Sequence, residues 1–92
     1  MSQVNLDNIR KLTKSLNSSR AQNYTTWLQV GWCLYNLDQS LLNCWIEFSR
    51  RSPKFKEGEC EQLWHSWSLN IDANFGLGSL IYWNQIDNGT SF

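Results

Sequence analysis

One proline, one histidine, no surplus of either charge and no apolar run near twenty residues set the first limits on this 92-residue chain. Eight Lys+Arg against eight Asp+Glu cancel, which excludes a strongly basic domain that holds any polyanion by charge alone. The apolar runs fall short of the ~20 residues that span a bilayer. The opening Met1-Ser2-Gln3-Val4-Asn5 lacks the positive-then-apolar build of a secretory signal. An intracellular, non-secreted chain with no membrane partner is therefore expected. Cys33, Cys44 and Cys60 are odd in number and far apart. With no C-x-x-C pair, neither a zinc ribbon nor a thioredoxin-type site is available. Each lies in an apolar, helix-like stretch and reads as a small buried hydrophobe in a reducing compartment. The sequons at Asn17, Asn23 and Asn88 read as chance.

Apolar bulk is plentiful: 41% hydrophobic residues, with six Trp, three Tyr and four Phe. That is enough to fold one domain of this length. The pattern is helical throughout, with no strand-like alternation of any length. Leu6, Ile9, Leu12 and Leu16 predict a first helix over 6–16, capped by Asn5, with Val4 and Ile9 as a staple. Trp27, Val30, Gly31, Leu34 and Leu37 predict a second over 24–36, capped by Asn23. Leu28, Trp32 and Tyr35 give it another apolar stripe, which marks a central helix. Gly31 costs about 1 kcal/mol relative to Ala inside a helix, so its presence there implies close approach of another helix or of a ring such as Trp45. A third helix is expected over 39–50, capped by Asp38 and closed by Arg50 and Arg51, and then a turn at Ser52–Phe55. A fourth over 57–67 carries Cys60, Leu63, Trp64 and Trp67, with Glu57 and Glu59 in its first turn, Lys56 as a poor cap and a Phe55–Cys60 staple. After a loop over 70–76, a fifth over 78–87 turns Leu77, Leu80, Ile81 and Trp83 inward and ends at Asn88-Gly89. The fold class is all-α, a compact bundle of four to five short helices. Residues 1–22 form a leading helix and linker, and 23–92 the domain proper.

No catalytic set emerges, and no metal or cofactor site. His65 is the lone histidine and reads as a surface residue. Glu57, Glu59 and Glu61 alternate around a helix and do not converge. Gly76-Leu77-Gly78-Ser79 lacks P-loop spacing. The remaining signal is basic: Arg50, Arg51, Lys54 and Lys56 crowd half of the cations into seven residues, with Phe55 among them. Such a cluster suits a nucleic-acid backbone with one base on the ring. The plainer alternative is solvated charge at a helix end, with Phe55 part of the core. Arg10, Lys11, Lys14 and Arg20 would add a second patch if the first helix packs nearby. Four phosphate contacts on a single strand give a log–log salt slope of about −3, with a dissociation constant of about 10⁻⁵ M or weaker. Trp27, Trp45, Trp64 and Trp83 read as core. Trp32 and Trp67 are candidates for partial exposure, and an exposed pair would mark a docking surface.

Trp27, Trp45 and Trp64 are spaced like the tryptophans of Myb-type DNA-binding repeats, and Cys60-x-x-x-Trp64 resembles the start of their recognition helix. A groove-reading helix needs flanking cations, and this one carries Glu57, Glu59 and Glu61 instead. A second likeness covers more of the chain. Trp27-Leu28, Val30-Gly31-Trp32 and Leu34-Tyr35-Asn36, then Trp45 to Phe55 with a W-x-x-[FW]-S-[KR]-[KR]-S run, then Cys60 with Trp64, then Gly78-Ser79-Leu80 with Tyr82-Trp83, arrive in the order of the primase C-terminal type 2 domain. The chain resembles viral members of that family from Tyr24 onward. Gly76 and Lys56 depart from its pattern, each where a short polar cap is usual. The resemblance implies a non-catalytic helical accessory domain of a viral or mobile-element primase-helicase, lying between a primase domain and a superfamily-three helicase. The D-x-D or D-x-E pair of a primase active site is absent. The domain's implied work is in DNA replication, with Arg50, Arg51, Lys54, Phe55 and Lys56 contacting single-stranded template or primer weakly and the body linking primase to helicase. The alternatives are a protein–protein docking module without nucleic-acid contact, a Myb-like duplex reader, and help in holding an initiating nucleotide, for which no residues stand out.

Overall fold

The structure, a computed structural model, describes residues 5–67 and 74–89. Its helices are α1 Leu6–Ser15, α2 Ser19–Gln22, α3 Tyr24–Leu37, α4 Leu42–Ser49, α5 Glu59–Ser66 and α6 Leu77–Asn88, with a 3-10 turn at Gln39–Leu41 ahead of α4. No strand occurs among the described residues. The radius of gyration is 12.6 Å, against ~12 Å for a compact chain of this length. The expected all-α bundle forms, with five helices of seven residues or more. The short α2 was hidden by the polar Asn17-Ser18-Ser19 stretch.

Local chemistry sets most helix starts. Asn5 accepts from the Asn8 N–H, and Asn23 from those of Thr25 and Thr26. Asp38 accepts from the Ser40 N–H, so the predicted third helix opens as a 3-10 turn. Two starts differ from expectation. Helix α5 begins at Glu59, two residues later than predicted, because Gly58 takes a left-handed φ of 85° at its N-cap. Lys56 therefore caps nothing, and Glu57 precedes the helix while Glu59 and Glu61 occupy its first turn. Helix α6 opens at Gly76 without a side-chain cap, although the Ser79 hydroxyl accepts from the Gly76 N–H at 3.4 Å. Gly89 ends it with φ 62°. The Val4 staple and positions 70–73 of the predicted loop lie outside the described residues.

Helix α3 is central, packing on α2, α4 and α6. Trp27, Val30, Gly31, Cys33 and Leu34 are buried on it. A Cβ at Gly31 would lie 2.6 Å from Trp45 Cε2 and 2.8 Å from Trp67 Cη2, so the glycine is the seat of these rings. Trp45 stacks on Trp27 at 4.8 Å and meets Trp67 at 5.1 Å and Trp64 at 5.9 Å. Tyr35 edges onto Trp64 and Trp67 and donates its hydroxyl to the Trp67 carbonyl at 2.9 Å. Burial pushes the Cys33 thiol up to about 12 and raises Cys44 and Cys60, which keeps all three as unreactive packing groups. Leu80 is buried on α6 and Trp83 half-buried, whereas Leu77 and Ile81 are exposed, against the inward orientation predicted for them. Apolar residues lie on both sides of α6, so periodicity alone does not choose a face.

Residues 5–22 pack onto the rest. Ile9, Thr13, Leu16 and Ala21 are buried, with α1 against α4 and α6. Arg20 grips Asp87 with two bonds of 2.7 and 2.8 Å, and Asp87 also accepts from the Asn17 N–H. The Arg20 guanidinium lies 5.2 Å over the Trp83 ring. Asn84 donates to the Leu12 carbonyl at 2.8 Å.

Two measurements test this packing. Gly31→Ala gains about 1 kcal/mol of helix propensity but pushes a methyl into two rigid rings, an overpacking that costs about 1–3 kcal/mol. Urea denaturation should show a net loss; an unchanged or higher midpoint would mean that the rings yield. The hydrogen bond from Arg20 holds the Asp87 carboxyl below its ordinary value of 3.8. Its stabilisation is therefore complete above 3.8 and is lost as pH falls through the lower folded value. Asp87→Asn should cost about 1.5–3 kcal/mol at neutral pH. The gap to wild type should narrow in acid; a gap constant with pH would refute the assignment.

Candidate nucleic-acid interface

The basic segment is held by a buried hydroxyl. Ser49, the last residue of α4, accepts from Trp27 Nε1 at 2.6 Å and from the Cys60 thiol at 3.2 Å, and donates to the Trp45 carbonyl at 2.7 Å. One side chain thereby joins α3, α4 and α5. Trp45 Nε1 donates in turn to the Trp27 carbonyl at 3.2 Å. Ser52, also buried, accepts at its hydroxyl from the Lys54 N–H at 3.1 Å, and its carbonyl accepts from the Phe55 N–H. Within the W-x-x-F-S-R-R-S run, Trp45, Phe48, Ser49 and Ser52 thus build the fold.

The structure divides the cations between two tasks. Arg50 is exposed, with its guanidinium 5.6 Å over the Phe55 ring and one nitrogen 3.9 Å from the exposed Glu57 carboxylate. Lys54 and Lys56 are exposed on the same turn. Phe55 is half-buried against the core. Arg51 turns the other way. Its guanidinium lies 5.5 Å over Phe48 and donates to the Leu16 and Lys14 carbonyls. It caps the C-terminal end of α1, where orphan carbonyls and the helix dipole favour a cation. Three cations are left with free donors near Phe55.

The second group separates likewise. Arg10 and Lys14 line a cleft of about 190 Å³ with Arg51, Glu47 and the buried Cys44. Arg20 is spent on Asp87, and Lys11 is exposed elsewhere on α1. Trp32 meets Phe75 at 5.6 Å and Trp67 packs against the core cluster, and both residues are half-buried. His65 is exposed. No group of three or more His, Cys, Asp or Glu among the described residues is placed to hold a metal. No helix there is long and apolar enough to cross a membrane. Sequence reasoning passed over Tyr24, a residue 63% exposed whose ring lies beside Trp27. Neither apolar stripe of the helix includes this tyrosine, and only its place at the rim reveals it.

Comparison with known proteins gives a consistent answer. The family Primase C terminal 2 (PriCT-2) matches residues 9–84. The protein named Putative helicase L207/L206 of Acanthamoeba polyphaga mimivirus is 40% identical over 88 residues, covering 95% of this chain and 9% of that protein. Putative helicase 184R of Invertebrate iridescent virus 6 is 32% identical over 97 residues, covering 96% and 10%. Putative helicase 022R of Frog virus 3 is 33% identical over 87 residues, covering 90% and 9%. The chain spans about a tenth of the length of these relatives. No solved structure matches it.

The hydroxyl of Ser49 offers a test of how the segment is held. Ser49→Ala would leave the buried Trp27 N–H without its acceptor, at a cost of about 1–3 kcal/mol. Thermal melting should show that loss. Ser49→Cys, which keeps a weak acceptor, should recover part of it. Equal stability of Ser49→Ala and wild type would remove Ser49 as the tie between the three helices.

Proposed function

The chain belongs to the primase C-terminal 2 family, and from that premise we propose that it is a helical accessory domain of a DNA primase-helicase which contacts single-stranded template or primer. In this reading it performs no bond-making itself and links a primase domain to a superfamily-three helicase domain during viral DNA replication in the host cell. The observation that carries the reading is the turn after α4. It presents Arg50, Lys54 and Lys56 outward around a half-buried Phe55, on a backbone tied down through Ser49 and Ser52. Arg51 adds charge nearby, but its N–H groups serve α1.

Magnitudes keep the role modest. Three outward-facing cations on a single strand give a salt slope of about −2 in place of the −3 expected for four. Neutral net charge and the neighbouring Glu57 and Glu59 weaken autonomous binding further. A tethered module tolerates this, because effective concentration takes the place of affinity.

One other reading has its own observation. Leu77, Ile81, Tyr82 and Ile86 on α6 are 40–61% exposed, apolar surface suited to docking a neighbouring domain without nucleic-acid contact. The duplex reader fits less well, since α5 turns Cys60 and Trp64 into the core and carries no Lys or Arg.

Fluorescence anisotropy with a labelled single-stranded oligonucleotide across salt concentrations decides between them. Wild type should bind with a dissociation constant of about 10⁻⁵ M or weaker and a slope of about −2. Replacing Arg50, Lys54 and Lys56 together by Glu should abolish binding while leaving the circular dichroism and the melting curve unchanged. Arg51 is left intact because its loss would unclamp α1. Retained binding in the triple variant would remove the patch, an absent or salt-independent signal in wild type would favour docking, and tighter binding to duplex would favour the third reading.

A further inference from the structure

Beside the patch lies a groove of about 250 Å³ lined by Gln22, Tyr24, Trp27, Lys54, Phe55 and Glu59. It differs from the cleft at Arg10 and Lys14 and from the hollow around Arg20 and Asp87 in having three aromatic rings in its walls. We propose that it seats one unstacked base of a single-stranded DNA, with Tyr24 as the stacking platform and the flanking phosphates on Arg50, Lys54 and Lys56. The proposal rests on the single-strand reading above and assigns to that site a ring that the sequence did not single out.

Size argues for a base rather than a larger ligand. At about 250 Å³ the groove lies below the range of about 300–1,000 Å³ typical of pockets for drug-sized molecules and matches a single base better. Accessibility argues for Tyr24 over Phe55. Phe55 is half-buried, and the Arg50 guanidinium lies 5.6 Å over its ring. Tyr24 lines the groove and is 63% exposed. Rigidity also favours it. Tyr24 is the first residue of α3 behind the Asn23 cap, and its ring leans on Trp27 at 5.8 Å. Trp27 is fixed by its bond to Ser49. A platform already ordered loses little entropy when a base lands on it. Lys54 belongs to both groove and patch, so stacking and phosphate contact lie one residue's reach apart. Gln22 and Glu59 offer an amide and a carboxylate at the rim, where a base edge presents donors and acceptors.

Two oligonucleotides of equal length, one normal and one with abasic sugars throughout, separate the groove from the patch. Wild type should bind the normal strand more tightly than the abasic one, with the same salt slope for both. Tyr24→Ala should weaken the normal strand by about five-fold or more, the low end of measured base–aromatic stacking, and leave the abasic strand unaffected. Tyr24→Phe, which keeps the ring, should bind like wild type. Equal, salt-dependent binding of the two strands by wild type, which needs no variant to fold, would overturn the groove and leave the cation patch standing. So would a Tyr24→Ala variant that binds the normal strand like wild type. No binding of either strand would overturn both.

Discussion

The indole of Trp45 lies where the side chain of residue 31 would be, and most of the molecule follows from that contact. Because Gly31 has none, α4 can press its largest ring onto α3. Trp45 is fully buried there and touches Trp27, Trp64 and Trp67, so α3, α4, α5 and the residue that ends α5 meet on one side chain. A glycine in mid-helix gives up about 1 kcal/mol of helix propensity. Complete burial of a large aromatic surface returns more than that. Indole N–H groups are a polar liability of such a core, and two of the most buried are met: Trp27 by Ser49 and Trp45 by the Trp27 carbonyl.

Much of this was legible because the signals are local. Asn5, Asn23 and Asp38 read as caps and act as caps, since a side-chain oxygen two or three residues from an orphan N–H needs no tertiary information. Gly31 pointed to Trp45 for a different reason: a costly residue in an otherwise good helix implies a neighbour that compensates for it. The misses are tertiary. Gly58 starts α5 through its positive φ, a freedom that composition does not distinguish from that of any other glycine. Leu77 and Ile81 face outward because α6 meets α1 and α3 on the side of Leu80 and Asn84. Within the candidate site, the cluster of cations was visible in the sequence, but the engagement of Arg51 with carbonyls some 35 residues earlier was not.

Adjacent arginines with opposite assignments follow from where α4 ends. The chain leaves the helix at Arg50, and successive residues there diverge instead of sharing a face. Arg51 is directed to the open end of α1, whose carbonyls have no helical partner. Arg50 is directed to Phe55 and solvent. A planar guanidinium suits both positions, since it donates in a fork to carbonyls and also stacks on rings. A lysine could supply the charge at either position but not the geometry. The motif's paired cations are therefore unequal in kind, one serving the fold and one presented outward.

That division bears on how a neutral domain would act on a polyanion under the proposed reading. Freely moving surface cations would lose side-chain entropy on each contact and gain little in return. Here the backbone that carries them is fixed at both ends: Ser49 holds the end of α4, and the Ser52 hydroxyl and carbonyl hold the N–H groups of Lys54 and Phe55. Arg50 is further restrained by its ring contact. Under the proposed reading, a few charges on a fixed backbone next to the exposed Tyr24 ring would favour a strand with a particular spacing of phosphate and base over an arbitrary polyanion. Selectivity for unpaired strand would then come from the rings, which duplex DNA cannot engage without unstacking. The aromatic core thus has a second consequence beyond stability, because the same Trp27 that Ser49 pins inside the bundle supports Tyr24 at its surface.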